Sequence, residues 1–134
     1  MSIMKASKDY AIKEIDIAQF VIIQAAIEGF HTEMSILSKP KPDNPVNPFK
    51  LGLINATLRK ANSLLTDSEL PLEGFKEFAT EALPSNSDVV MVLSQYMEAL
   101  ETWRAARITY SLGHWYWQNQ GTIETYPPKR LPSR

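Results

Sequence analysis

The chain has 134 residues, with 14 basic and 15 acidic side chains and no cysteine. That length supports a single domain able to bury about two-thirds of its unfolded surface. The absence of thiols excludes disulfides, cysteine-ligated zinc and thiol catalysis, and the near-zero net charge gives no general attraction to nucleic acid or to a membrane.

The start, MSIMKASKDY, lacks the charged and apolar layout of a signal peptide, and a cysteine-free composition fits a cytoplasmic location. From about Ser7 to Leu37 the apolar residues Ile12, Ile15, Ile22 or Ile23, Ala26, Phe30, Met34 and Leu37 recur at helical spacing, with no proline between them. Its most apolar part, Ile17 to Ile27, is too short to span a bilayer. Prolines at 40, 42, 45 and 48 then impose an extended crossover. Asn47 caps a second helix with Pro48 in its first turn, and Leu51, Ile54, Leu58, Ala61 and Leu65 form its apolar stripe. A short third helix is expected from about Pro71 to Leu83, burying Leu72, Phe75, Phe78 and Ala82. Ser85, with Asp88 three residues on, caps a fourth helix expected to run from about Asn86 to Gln118 unless Gly113 bends it. The expected fold is an all-α, single-domain bundle of about four helices over residues 1–118, followed by an extended C-terminal arm over 119–134.

The fourth helix carries the most informative pattern. Val89, Leu93, Tyr96, Leu100, Trp103, Arg107, Tyr110, His114 and Trp117 advance in steps of four and three, turning from aliphatic to aromatic. Leu93, Tyr96, Leu100 and Trp103 are expected to pack on Ile12, Ile15, Ile22, Phe30 and the leucines of the second helix. Arg107 and His114 share the stripe and point inward with it. In a helix, the run HWYW (114–117) spreads rings in nearly every direction, more than one small bundle covers from within. Some of Trp115, Tyr116 and Trp117 are therefore expected to meet the arm, a second subunit or a partner, since Trp, Tyr and Arg dominate binding hot spots.

Charge is unevenly distributed. Asp67 to Glu101 holds eight acids against Lys76 alone, whereas the last eleven residues hold Glu124 against Lys129, Arg130 and Arg134. Intramolecular balance is one reading of this asymmetry, and an acidic docking surface for a basic partner is the other. In the arm, Tyr126 and Leu131 are apolar anchors, and the basic side chains have Glu73, Glu77 and Glu81 as expected counterparts.

Chemistry-bearing motifs are sparse. The five glycines stand apart, so no phosphate loop is present, and no serine lies in a nucleophile elbow. Glu28 and His31 form one Glu-x-x-His step, but a carboxylate-bridged di-iron bundle needs two such steps and further glutamates, so no metal or cofactor is expected. Arg107 and His114, with six residues between them on a late helix, resemble the R-x4-6-H signature of the HEPN ribonucleases. That resemblance implies metal-independent RNA cleavage by the Arg–His pair, and it covers these two positions and the fold class only. The main expectation is a small non-enzymatic interaction protein, either an assembly subunit or an adaptor or inhibitor. Its partner is another protein or a second copy, contacted through Trp115, Tyr116, Trp117, Tyr126, Lys129, Arg130, Leu131, Glu73, Glu77 and Glu81.

Overall fold

A computed structural model of the protein describes residues 12–129. Helix α1 (Glu14–Ser38) opens with Glu14 and Asp16, whose carboxylates complement the free amides of its first turn. It ends at Ser38, two residues before Pro40, which has no N–H to continue the helical ladder. The crossover reaches Asn47, whose side chain accepts hydrogen bonds from the amides of Phe49 and Lys50 and so starts α2 (Pro48–Leu64). A 3-10 turn (Asp67–Glu69) follows, closed by a capping box between Thr66 and Glu69. Ser85 and Asp88 form a second capping box, which starts α3 (Asn86–Ala105).

The crossover is fixed on the N-terminus of α3 rather than looping free. Asn86 donates from its backbone to Asn44 O (2.9 Å) and from its side chain to Lys41 O (3.0 Å). Ser87 N donates to Pro42 O, and Val46 N to Pro84 O. Val46 is thereby buried.

The expected four-helix, all-α bundle does not form. Among the described residues there are three α-helices and a three-stranded antiparallel sheet. Residues 70–84 are irregular, because the segment is held by side chains of α2 instead of by its own helical ladder. Asn55 makes a reciprocal pair with the backbone N–H and C=O of Phe78, both at 2.9 Å, and Asn62 donates to Lys76 O. Gly74, at φ +76°, takes a left-handed turn that would break any helix there. Of the four apolar residues expected to be buried, Phe78 is buried, Phe75 packs edge-on against it and against Tyr96, Leu72 is half-buried against the core, and Ala82 is exposed.

The second correction concerns the end of the last helix. It stops at Ala105, and β1 (Ile108–Ser111) and β2 (His114–Trp117) form a hairpin, with β3 (Glu124–Thr125) on the far side of β2. Leu112 and Gly113 are the two turn residues, at φ +50° and +85°; two positive values in succession mark the turn whose twist matches a two-stranded ribbon. The stripe from Tyr110 to Trp117 had kept a helical step only by coincidence. Ile108, Tyr110, Trp115 and Trp117 alternate equally well at period two.

The core joins α1, α2, α3 and β2. Leu93, Tyr96, Leu100 and Trp103 are buried as expected, and so is the stripe of α2. On α1, however, Ile17, Phe20, Ile23, Ile27 and Met34 face inward, while Ile15 and Ile22 are exposed. Phe20 stacks on Trp103 (centroids 5.3 Å apart) and meets Trp117 edge-on (5.4 Å), so one ring cluster ties α1, α3 and the sheet together.

Candidate functional site

The aromatic run lies on a sheet, and its alternation sorts its rings. Trp117 is buried against Phe20 and Trp103, which makes it a core residue. Trp115 is half-buried, paired with Tyr110 across the hairpin (5.3 Å) and with Thr125 of β3. Tyr116 is half-buried between Thr109 and Glu124, its ring 6.2 Å from that of His114. At the tip, Tyr110 is exposed and Leu112 is 95% exposed.

Arg107 and His114 occupy different elements and share no partner. Arg107 Nη1 donates to Glu69 Oε2 and to Trp103 O, both at 2.9 Å, and its guanidinium lies 4.4 Å from the Trp103 ring centroid. Burial acts to raise the pKa of Glu69. The bond from the Thr66 amide, the bonds from Arg107 and the Thr66 hydroxyl, and the charge of Arg107 outweigh it, so its carboxyl lies below the usual value. His114 sits on the exposed face of β2, with Nδ1 2.8 Å from Glu124 Oε2. The shared helix on which the ribonuclease resemblance rested is therefore not present.

The arm is bound to its own chain through a residue that the sequence reading passed over. Arg104 is completely buried, and all five of its N–H donors have acceptors. Nε and Nη2 donate to the two oxygens of Glu101 (3.0 and 2.8 Å). Nη1 donates to Tyr126 O (2.7 Å) and Thr125 Oγ1 (3.2 Å), and Nη2 also donates to Pro127 O (2.9 Å). The Tyr126 ring covers the guanidinium at 3.5 Å, and its hydroxyl accepts from Gln24 of α1. Glu101 also accepts from the Lys129 amide. The match is chemical: a guanidinium has donors only, and a proline segment offers carbonyls with few competing N–H groups. The visible signal was the Glu-x-x-Arg step at 101 and 104 upstream of an arm containing Pro127 and Pro128.

The expected charge pairing is distributed differently. Lys129 meets Glu28 of α1 (3.4 Å) rather than the acidic run, and Glu77 pairs with Arg59 (2.9 Å). Glu73 and Glu81 are exposed and make no ion pair among the described residues. Arg130, Leu131 and Arg134 lie outside the described residues.

Two further surfaces stand out. A groove of about 380 Å³ separates α1 from α2, lined by Ala26, Gly29, Phe30, Met34, Phe49 and Leu53 among others, with the Glu33–Lys50 pair (2.8 Å) at its edge. A recess of similar size and mixed lining lies beside the hairpin, between Thr109 and Thr122. Among the described residues no three carboxylate or imidazole groups converge as a metal site would require, and no helix is long and apolar enough to cross a membrane. Comparison with protein-family models, with curated proteins and with solved structures gives no match.

Proposed function

We propose that the protein is a non-enzymatic interaction module, an assembly subunit or adaptor of the cytoplasm, that engages a protein partner through the tip of its hairpin. The observation that carries this reading is Leu112. A turn with two left-handed residues favours Asn, Asp or Gly at its first position, and a leucine there is strained. Nothing among the described residues compensates, because the side chain is 95% exposed and lies near exposed Tyr110. An aliphatic side chain held in strained backbone and projected into water, beside a tyrosine on a rigid ribbon, suits insertion into an apolar pocket of a partner. Two expected contributors have other roles. Trp117 belongs to the core, and the described part of the arm is fastened to α1 and α3 and supplies the strand that pairs with the edge of β2.

A photoactivatable residue at position 112 tests this in cells that produce the protein. One adduct of defined mass is expected, absent when the probe sits at exposed Lys39 and abolished by Tyr110→Asp. Equal labelling from positions 112 and 39 would refute the reading.

A further inference from the structure

α1 is apolar on more than one side. Its inward face holds Ile17, Phe20, Ile23, Ile27 and Met34, yet Ile15, Ile22 and Ile36 line the opposite face, at seven-residue spacing with Gly29 between the last two. Ile22 is 64% and Ile36 65% exposed. A helix that is apolar all round is normally covered all round, and the described residues cover this one on one side. Beside the stripe runs the groove against α2, where Phe49 is 75% exposed and a Cβ placed on Gly29 would touch nothing within 4 Å.

We propose that this face of α1, with the groove it forms with α2, binds a second copy of the same chain across a two-fold axis. The pattern is self-complementary, as an isologous interface requires. With the axis beside Ala26, near the middle of α1, the two helices run antiparallel and Ile22 falls on the copy's Gly29, the one position on the stripe with no side chain. Ile15 falls on the copy's Ile36. Gln19 falls on the copy's Thr32, and Lys60 of α2, which lines the same surface as Gln19 and Ile22, is brought beside the copy's Glu33–Lys50 pair, once at each end. α1 spans about 37 Å and α2 about 25 Å, and each presents about 10 Å of width. The resulting area of about 600 Å² lies at the lower end of the roughly 600–1,000 Å² per partner of stable complexes. The surface is separate from the hairpin tip, and the inference does not depend on the hairpin reading.

Sedimentation equilibrium over a dilution series tests it on the full chain. Twice the chain mass is expected at high concentration. Ile22→Glu and Gly29→Leu are each expected to weaken association by about tenfold or more while leaving the melting curve of the dilute protein intact, since both sites are open to solvent. A wild-type chain that stays monomeric throughout would overturn the proposal. So would a dimer that survives both Ile22→Glu and Gly29→Leu. A dimer lost in Leu112→Asn but retained in Ile22→Glu would move the interface to the hairpin, whereas failure of labelling at position 112 alone leaves this dimer standing.

Discussion

Arg104 places a permanent charge where no water reaches, and its stability rests on every donor having an acceptor. Shortening it to leucine leaves Glu101 without its fork and the carbonyls of Tyr126 and Pro127 without donors. Breaking a buried pair from one side costs about 3–5 kcal/mol, and we expect urea unfolding of Arg104→Leu to show a loss of that order. Lysine is expected to rescue little, because three donors on a point charge cannot reproduce the planar fork. A second residue-scale prediction concerns acid. Glu69 has a folded pKa below its usual value near 4.5. Its stabilising contribution is therefore present above about pH 4.5 and is lost as pH falls through the depressed folded value. Glu69→Gln should flatten that part of the stability–pH curve, measured by urea midpoints between neutral pH and about pH 3. Tyr96 has the opposite sense: burial raises its hydroxyl above 10 despite the bond to Asn62, so its contribution declines in strong alkali.

At the level of elements, the starts of α2 and α3 were readable, whereas α1 begins at Glu14 rather than near Ser7 and the later segments were not readable. Asn47–Pro48 and Ser85/Asp88 use local chemistry that needs no knowledge of the rest of the chain, and both caps form. The segment from Pro71 to Leu83 failed as a helix because its backbone is satisfied by Asn55 and Asn62, residues 14–23 positions away in sequence. Asn55→Ala removes both bonds to a buried backbone, and a loss of about 1–3 kcal/mol in urea unfolding is expected. The hairpin was legible in part. Leu112–Gly113 separates two short runs rich in aromatic residues, but a stripe already in step through Trp103 masked the change of period. The turn also yields a prediction. Leu112→Asn suits the left-handed position better and should raise stability by about 0.5–1 kcal/mol in urea unfolding, while weakening co-purification of the hairpin's partner with the chain.

Across the whole molecule, the described arm closes the structure. Its β3 segment covers one edge of β2, Ile123 O accepts from Trp117 N, and Tyr126 bridges α1 to α3. Truncation after Gly121 is expected to lower the unfolding midpoint and expose the Arg104 site to solvent, readable as increased binding of an apolar dye. The candidate partner residues of the arm were located in sequence, but their destination was not, because it depended on a buried arginine that looks like any surface charge on a helix. The same clasp has a kinetic consequence. Gln24 and Tyr126 are 102 positions apart in the chain, so bringing them together removes more freedom than forming any helix or the hairpin, and the contact is worth making only after α1 and α3 have docked. The clasp should then be absent from the folding transition state. Stopped-flow measurements on Arg104→Leu are expected to show an unfolding limb accelerated by nearly the whole equilibrium loss and a folding limb almost superimposable on wild type. A chain of this design folds at the pace of its helices and sheet, while the clasp governs how long it stays folded.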